Sequence, residues 1–446
     1  MSDMTSTPTT PPLPPGRNGL PLLGETLAFA KNPFRFIDER LARHGRIFRS
    51  NVLGRRSVVV AGPEAAGHFI DARIVMREGS MPPHIQELFG GRSLPLLDGE
   101  VHRARKSVVL QAFTRAALTA YLPGIQSTTE RYFERWSREN EIAWLDEMKR
   151  LAIEVICTTV IGMAPGPQMN RLRQDYGTLT AGFASLPVNI PGTRYRRAVQ
   201  ARDRILAVLR ACVEQRRRTP ADDGLSRILA AAASTGTALS DEEATLEAHH
   251  IVIAGYIVYA ELGAMIQQLT AHPQVRERLA AEIAEQAPSG ALTLEQLAMS
   301  MPYLMQVVNE VKRLCPIIPA VFGKSRETFE VGGLTIPAGW MVMFALRPSH
   351  VEHGVYTDPQ RFDPDRFSPE RAEDRRHDHA FVPQGAGPAM GHRCPGLDYA
   401  TYFMAVFAIV LLRGYTWALP PQSFEVDWSK TPPDVKDGLR ARVRAQ

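Results

Sequence analysis

One cysteine of this chain lies in a loop whose residue types suit a thiolate that binds a metal. Cys394 lies in FVPQGAGPAMGHRCPGLDYA, where glycines and prolines precede an apolar helix predicted over about 395–412. Glycine permits close backbone approach, and the start of a helix with its N–H groups favours a thiolate. Such a sulfur is suited to be the axial ligand of a metal. A buried structural thiol ahead of a helix is the alternative, and the loop alone leaves both open.

Three other segments accompany this loop in a fixed order. IVIAGYIV contains the small pair Ala254 and Gly255, NEVKRLCP places Glu310 and Arg313 on one helix face, and RFDPDRF contains Arg366. Together with the Pro-rich lead-in, these segments resemble the cytochrome P450 family over nearly the whole chain. An isolated ExxR motif would carry almost no weight.

The resemblance implies a mainly α fold with a minor β portion, arranged as a single P450-like domain with a long central helix over haem. It implies a haem b group whose iron is ligated by Cys394, and a distal haem face crossed at Ala254 and Gly255. It also implies that Arg366 completes an ion network with Glu310 and Arg313. Because a partly buried arginine–carboxylate network fixes geometry, we assign these three residues a structural role and no catalytic one.

Haem carries two propionates, so the resemblance also requires cationic residues around it. His102 and Lys106, one turn apart in GEVHRARKSV, match the propionate-contacting helix of the family, and His392 matches a second such position. Gly396, two residues after Cys394, completes the expected cofactor-binding set. A solvated helix face is the alternative for His102 and Lys106.

The distal helix departs from the family at two positions. The small pair is usually followed by an acid and an alcohol that relay protons, whereas this chain has Ile257 and Val258 there. Neither side chain can donate or relay a proton. Ordered water or another residue would have to supply it in an otherwise ordinary monooxygenase.

Helical spacing places four residues along one stripe, namely His250, Ala254, Val258 and Glu261. His250 is two turns before Val258 and is a candidate to point into the substrate pocket, while Glu261 lies one turn beyond. We include both among the catalytic candidates. A satisfied core histidine is the alternative for His250.

The cysteine loop departs from the family as well. It is about three residues longer than usual between Gly387 and Cys394, and Met390 replaces a glycine. PQGxG followed by GHRCPG resembles the loop of bacterial fatty-acid peroxygenases, which use hydrogen peroxide and need no redox partner. Those enzymes carry a substrate-binding arginine where this chain has Ile257, so the resemblance does not extend to fatty-acid specificity.

Three functions remain open. The first is oxygen insertion into a hydrophobic small molecule of secondary or lipid metabolism, with electrons from a ferredoxin or flavodoxin that docks near Arg103, Arg105 and Arg393. The second is a peroxide-driven peroxygenase or a haem-dependent isomerase, dehydratase or cyclisation enzyme. The third is a non-catalytic haem protein that senses or stores a ligand. Loss of the acid–alcohol pair and the altered cysteine loop favour the second, and a pocket-forming fold with a retained thiolate argues against the third. We expect the first function and keep the second as the alternative on mechanism.

Substrate identity is not encoded in these motifs. We expect the pocket to be lined by residues 81–97, residues 178–195 and the helix face of Ile253, and to be mostly apolar. His84, Arg92 and His250 are the polar anchors in or beside these segments. Such a pocket suits terpenoids, polyketides, steroids and fatty acyl chains alike.

The elements that position these residues follow from composition and periodicity. The 446 residues are 44% hydrophobic and 22% charged, which excludes disordered, collagen-like and coiled-coil classes, and a mixed net charge of +5 does not indicate nucleic-acid binding. We expect a disordered Thr/Pro-rich tail over 1–16, a catalytic domain over 17–446, no membrane span and a cytoplasmic location. The segment from Asp241 to Pro273 predicts one unbroken helix of about thirty residues. Cys157, Cys212 and Cys315 are interpreted as buried helical thiols.

Overall fold

Helices dominate the part of the chain that the computed structural model describes, which is residues 11–21, 23–52, 54–237, 239–352, 354–428, 430 and 432–446. The helices are α1 Thr26–Lys31, α2 Pro33–His44, α3 Pro63–Ile70, α4 Pro83–Leu88, α5 Gly99–Val109, α6 Arg115–Arg138, α7 Trp144–Ile156, α8 Pro167–Phe183, α9 Arg194–Arg218, α10 Gly224–Thr235, α11 Asp241–Tyr256, α12 Tyr259–Ala271, α13 Pro273–Gln286, α14 Pro302–Leu314, α15 Leu346–His350 and α16 Leu397–Gly414. The strands are β1 Ile47–Val52, β2 Arg55–Val60, β3 Val75–Met76, β4 Ile142–Ala143, β5 Ala320–Ser325, β6 Phe329–Val331, β7 Leu334–Ile336, β8 Met341–Ala345, β9 Tyr415–Ala418, β10 Val426–Asp427, β11 Asp434–Val435 and β12 Arg440–Ala445.

The main sheet is assembled from distant parts of the sequence. Its strand order is β1-β2-β8-β5-β3, in which β8 pairs parallel with β2 and antiparallel with β5. Every residue of β8 is buried, as expected for a central strand with apolar side chains on both faces. A second sheet of order β4-β12-β9 joins the C-terminal strand to the α6–α7 connection. The predicted mainly α fold with a minor β portion is therefore confirmed.

The helical body forms around α11, α12 and α16, which are apolar on most sides. α11 begins with a capping box in which the Ser240 hydroxyl accepts from the Glu243 N–H and the Glu243 carboxylate accepts from the Ser240 N–H. α11 packs on α7 and α9, and α12 packs on α7, α14 and α16. These helices thereby carry the distal candidates and the segment after Cys394 to the centre of the molecule.

The central helix is not continuous, contrary to the prediction. It breaks at Ile257 and Val258, where the N–H of Ala260 bonds the carbonyl of Ile257 at 3.2 Å and the N–H of Glu261 bonds that of Val258 at 3.0 Å. These i to i+3 bonds tighten the turn. A glycine at 255 followed closely by two β-branched residues lowers helix propensity at this point, which the periodicity of the apolar residues does not reveal.

An N-terminal strap, Pro11–Gly16, lies on two sheets. The Thr335 N–H bonds the Pro12 carbonyl at 2.9 Å, and the Arg49 N–H bonds the Pro15 carbonyl at 2.8 Å. Packed structure thus begins before the boundary predicted at residue 17, because proline carbonyls accept hydrogen bonds from the sheet edges. Residues 1–10 of the predicted tail lie outside the described residues.

Two stretches of helix are long and apolar enough to cross a membrane by length and composition alone. They are Asp241–Ala271 and Leu397–Gly414, and 78% and 61% of their apolar windows are buried inside the protein. A bent pair, Gly99–Phe113 with Arg115–Arg138, passes the same test. The burial of the first two stretches accounts for most of their apolar character through packing of the core.

Candidate active site

A cavity of about 290 Å³ lies between the Cys394 loop and the distal helix. Its walls are mostly apolar side chains from distant segments, among them Phe69, Ile70, Leu94, Phe113, Ile156, Ile318, Val321 and Phe344. Cys394, Gly396 and His392 line one side, and His250, Ala254, Ile257 and Val258 line the other. The fold therefore brings the predicted sulfur ligand and most of the distal candidates to one enclosed space.

The loop before Cys394 folds back on itself. Gly385 and Gly387 both adopt a φ of +86°, and a Cβ on Gly385 would lie 3.3 Å from the His392 carbonyl oxygen. The Cys394 N–H donates to the Gln384 carbonyl at 3.0 Å, which fixes the cysteine backbone. Glycine is needed at 385 because an L side chain would be strained there and would crowd the returning strand of the loop.

Opposing effects act on the Cys394 thiol. Burial raises its pKa, while a hydrogen bond from Gly396 and the charges of Lys106 and Lys312 lower it, and burial prevails. The helix start favours a thiolate less than predicted, because α16 begins three residues after the cysteine. A metal cation at the sulfur would ionise the thiol outright.

A group of polar residues surrounds one edge of the cavity. Nε2 of His392 lies 3.2 Å from Oδ1 of Asp98, and the rings of His102 and His392 are in contact, with centroids 4.1 Å apart and planes tilted by 32°. Asp98 also accepts from the N–H groups of Arg77 and Glu78 at 2.7 Å each. Burial raises the pKa of Asp98, but these hydrogen bonds outweigh it and hold the pKa below its usual value. Asp98 is thus an ionised carboxylate.

The cations at this edge outnumber Asp98. Burial, with the nearby charges of His392 and Lys106, lowers the pKa of His102 to about 4, and burial lowers that of Lys106 to about 8. Lys106 donates to the carbonyl of Arg393. Arg77 packs its guanidinium 4.0 Å above the Phe69 ring, is 5% exposed, and leaves its buried Nη1 without a hydrogen-bond partner. A buried cation without a counter-ion is costly in free energy, so an anionic ligand would stabilise this edge of the cavity.

Behind the loop lies a fully buried ion network. Glu310 accepts from Arg313 at 2.6 and 2.8 Å and from Arg366 at 3.0 Å, and all three side chains are inaccessible. Arg313 also donates to the carbonyls of His350 and Pro359 at 2.7 Å each. A fourth member, Glu373, accepts from Arg366 at 2.7 Å and balances the second guanidinium charge. The network ties α14 to the chain segment that precedes the cysteine loop.

Gly255 lines the cavity but has a second function in packing. A Cβ at this position would lie 2.4 Å from Cγ1 of Ile156 in α7. The close approach of α11 to α7 therefore requires a glycine, independently of the haem face that the prediction assigned to it.

Glu261 is placed elsewhere than predicted. It does not line the cavity, and it is 2% exposed with a buried Oε2 that has no hydrogen-bond partner. Burial raises its pKa, and the charge of Lys312 on α14 opposes that shift. The cavity lining on this helix ends at Val258, one turn before Glu261, whose carboxyl lies near Lys312 of α14 and not in the distal pocket.

Other predicted residues also lie away from the cavity. His84 packs edge-on against Tyr195, Arg92 is exposed, and no residue of 178–195 within the described ranges lines the cavity. Of the segment 81–97, Met81, Leu94 and Pro95 contribute.

The three arginines predicted to form a docking face separate. Arg103 and Arg393 are exposed, but Arg105 is 4% exposed and pairs with Glu243 and Glu247 of α11. Arg105 is therefore not part of a docking surface. Its position on an amphipathic helix did not reveal that two carboxylates lie opposite it.

Several residues of the site carry no sequence motif. They are buried or half-buried polar groups whose partners are mostly remote in sequence, namely Arg77, Asp98, Glu247, Lys312 and Glu373. An acid or base within an apolar run is the only signal that any of them gives.

A deep cysteine loop, a cationic edge and an apolar distal cavity define a haem-thiolate class of protein. Comparisons with known proteins agree, since the model of the family described as Cytochrome P450 matches residues 14–436. The chain therefore belongs to the cytochrome P450 family and is an oxidoreductase.

Relatives and solved structures match over nearly the full length. "Putative cytochrome P450 120" of Synechocystis sp. is 31% identical over 97% of both chains. The retinoic acid bound structure of cyanobacterial CYP120A1 has a TM-score of 0.90 at 30% identity, covering 98% of this chain and 100% of that one. Cytochrome P450SP alpha (CYP152B1) in complex with (R)-ibuprophen has a TM-score of 0.81 at 26% identity, covering 94% of this chain and 98% of that one.

The residues present fit the haem that this family binds. Cys394 stands where the family motif has its thiolate ligand, and the charges of Arg77, whose Nη1 is unpartnered, and of Lys106 match the negative charge of propionates, while the neutral rings of His102 and His392 offer N–H donors. Burial of these cations without an equal number of anions is accounted for by such a group.

Proposed function

We propose that the protein inserts an oxygen atom into a hydrophobic small molecule of secondary or lipid metabolism, at a haem b group held by Cys394 in a cytoplasmic enzyme. The observation that carries this proposal is the cavity itself, which is apolar on most sides and reaches the Cys394 loop. Apolar walls bind apolar molecules by removing their surface from water, and a few polar groups orient them.

The chain's own residues support this chemistry in stated ways. When bound, a haem would supply the redox chemistry of O–O cleavage, and the thiolate of Cys394 would add electron density to its iron. Gln384 holds the backbone of Cys394, and Arg77, His102, Lys106 and His392 would bind the propionates at the cavity edge. Ala254, Ile257 and Val258 exclude water on the distal side and press the substrate towards the centre, while His250 offers a proton-exchanging nitrogen.

Electrons are proposed to come from a ferredoxin or flavodoxin. Arg103 and Arg393 are exposed, and Lys106 connects to the backbone of Arg393, immediately before the sulfur ligand. Cations beside the ligand loop favour an acidic protein partner.

A second candidate is a peroxide-driven or redox-neutral reaction. The observation that favours it is the pair Ile257 and Val258, which occupies the distal wall where the family usually has an acid and an alcohol. Peroxide brings two protons and two electrons, so its use needs no electron donor, although a group in the cavity must still move one proton between the two peroxide oxygens.

The two candidates are separated by the source of electrons. Purified haem-loaded protein is first screened for substrate-induced spectral shifts with terpenoids, steroids, fatty acids and retinoic acid. Hits are then incubated with ferredoxin, its reductase and NADPH, or with hydrogen peroxide alone. Product in the first incubation supports the oxygenase. Product only with peroxide, or redox-neutral product with neither, contradicts it.

The ligand assignment has its own test. Replacement of the thiolate by Cys394→Ser is expected to abolish the long-wavelength Soret band of the reduced carbon monoxide adduct, because that band requires a thiolate opposite the carbon monoxide. Cys212→Ser on α9 is the matched control and should leave the band intact. A band that survives Cys394→Ser would disprove the assignment.

A further inference from the structure

A file of polar side chains runs along one face of α11 from solvent to the cavity. Glu243, Glu247 and His250 follow one another at i, i+4 and i+7, so they lie on one side of the helix. The Glu243 side chain is 36% exposed, the Glu247 side chain is 1% exposed, and His250 lines the cavity. Two acids thus lead inward to a histidine at the distal wall.

Glu247 is a buried carboxyl held by two elements outside its own helix. It accepts from the Leu94 N–H at 3.0 and 3.3 Å and from Arg105 of α5 at 3.2 Å. Arg105 also donates to Glu243, so one guanidinium bridges the outer and inner acids. Burial raises the pKa of Glu247 to about 7 despite Arg105, which leaves the carboxyl able to gain and lose a proton near neutrality.

His250 differs from its neighbour in how its ring is held. His249 is placed with Nε2 3.1 Å from the Leu88 carbonyl and Nδ1 3.1 Å from the Tyr176 hydroxyl, so both its ring nitrogens have partners. The buried Nδ1 of His250 has no hydrogen-bond partner and lies 4.0 Å from Oε2 of Glu247. A small rotation of the imidazole or a bridging water closes this distance.

The charges around His250 keep its ring neutral. Burial, with smaller effects of His249 on α11 and Lys106 on α5, lowers the pKa of His250 to about 3, and Glu247 is the acid that lies 4.0 Å from its Nδ1. A neutral imidazole accepts at one nitrogen and donates at the other. It can therefore pass a proton without holding a net charge in the apolar wall.

We propose that Glu247 and His250 form the proton route into the distal cavity, with Glu243 and Arg105 at its outer end, in place of the acid and alcohol absent at 257 and 258. This inference rests on the proposed function. Both positions of the usual relay are apolar, whereas this file reaches the cavity two turns earlier on the same helix.

The transfer balances without a buried imidazolium. The O–H bond of Glu247 breaks as an N–H bond forms at Nδ1 of His250, and the Nε2–H bond breaks as that proton passes to an oxygen being reduced to water in the cavity. The electrons come from the redox partner or from peroxide. Glu247 is left as a carboxylate paired with Arg105 and regains a proton from solvent past Glu243. The starting tautomer returns when Nδ1 of His250 releases its proton to water and Nε2 takes one proton from water, so the reset is neutral overall.

A spectroscopic test addresses the carboxyl directly. In infrared difference spectra between pH 6 and pH 8, the wild type should show the C=O stretch of a protonated carboxyl that titrates near neutrality. Glu247→Gln should remove this band and His250→Phe should shift it, while Glu242→Gln, an exposed acid on the same helix, should leave it unchanged. A band that persists in Glu247→Gln would overturn the proposal.

A kinetic test addresses the route. With ferredoxin, its reductase and NADPH, we expect Glu247→Gln and His250→Phe to divert reducing equivalents into released hydrogen peroxide. With peroxide and guaiacol as the probe, both variants should lose turnover on the order of 100-fold, as expected when one proton-transfer group is removed. The wild-type rate should fall as pH rises through about 7, because Glu247 then loses the proton it donates.

The two proposals fail in different ways. A wild type that turns over only with peroxide contradicts the oxygenase proposal, and the route is then judged by guaiacol turnover in the same variants. Equal guaiacol turnover in Glu247→Gln, His250→Phe and the Glu242→Gln control, each with an unchanged spectrum of the carbon monoxide adduct, would overturn the route.

Discussion

Arg77 is the residue whose role depends most on the fold. It follows strand β3 in a segment without a recognisable motif, yet its guanidinium is buried at the cavity edge and its Nη1 has no hydrogen-bond partner. Burial lowers its pKa to about 10, which still leaves it charged at neutral pH. A propionate is the anion that this geometry fits.

Removal of that charge should weaken haem binding. We expect Arg77→Met to raise the haem dissociation constant about 10- to 100-fold, since a hydrogen bond to a charged group is worth roughly 1.5–3 kcal/mol. Haem transfer to apomyoglobin measures the release rate. Arg73→Met is the control, because Arg73 is exposed and pairs only with Asp71. Equal release rates in both variants would contradict the role of Arg77.

The residue scale also shows where sequence reasoning ends. Short motifs with fixed spacing predict which residues belong to the site, as they do for Cys394, Glu310, Arg313 and Arg366. Asp98 could not, because its partner His392 is 294 residues away in the chain. Tertiary structure alone makes such a pair.

At the scale of elements, the distal helix combines a correct prediction with an error. The apolar period and Ser240 predict where α11 begins, but helical spacing does not show that the cavity ends before Glu261 is reached. Two i to i+3 bonds at Ile257 and Val258 divide α11 from α12. Periodicity detects which residues are apolar and does not detect a local change of hydrogen-bond pattern.

The contact between α11 and α7 gives an element-scale prediction. Gly255→Ala should lower the free energy of unfolding by about 1–3 kcal/mol, because the new Cβ would overlap Ile156 and force the helices apart. Chemical denaturation of the haem-loaded protein measures the change.

Its control is Gly414→Ala at the end of α16, where a Cβ meets no atom within 4 Å. That variant should be neutral or more stable by about 0.5 kcal/mol. Because Ile156→Ala opens a cavity of its own, the double variant Gly255→Ala with Ile156→Ala should lose less stability than the two single losses added together, and additive losses would contradict steric overlap as the cause.

At the scale of the whole molecule, the buried ion network holds the helical body to the loop that precedes Cys394. Two arginines and two glutamates share one inaccessible site, so each charge depends on the others. Hydrogen bonds hold the pKa of Glu373 at about 2 despite burial, chiefly those from Arg371, Thr357 and Arg366. Its contribution to stability is therefore present above the usual glutamate pKa and is lost only as pH falls towards 2.

Breaking this network should destabilise the entire fold. Glu310→Gln leaves two buried guanidinium groups without full compensation, and we expect a loss of about 3–5 kcal/mol in the free energy of unfolding together with reduced haem content. Asp365→Asn removes an exposed pair with Arg278 and should cost less than about 1 kcal/mol. Similar losses in the two variants, measured by chemical denaturation, would show that the network does not support the fold.

The N-terminal strap has a consequence for how the protein behaves in a crowded solution. β1 is the outer strand of the main sheet, and such an edge can recruit strands from other molecules. The strap covers part of that edge with Pro15 and Gly16. Because proline has no N–H, the strap accepts bonds from the sheet but offers few donors to a further strand. The chain thereby ends its own sheet with a segment that discourages edge-to-edge aggregation.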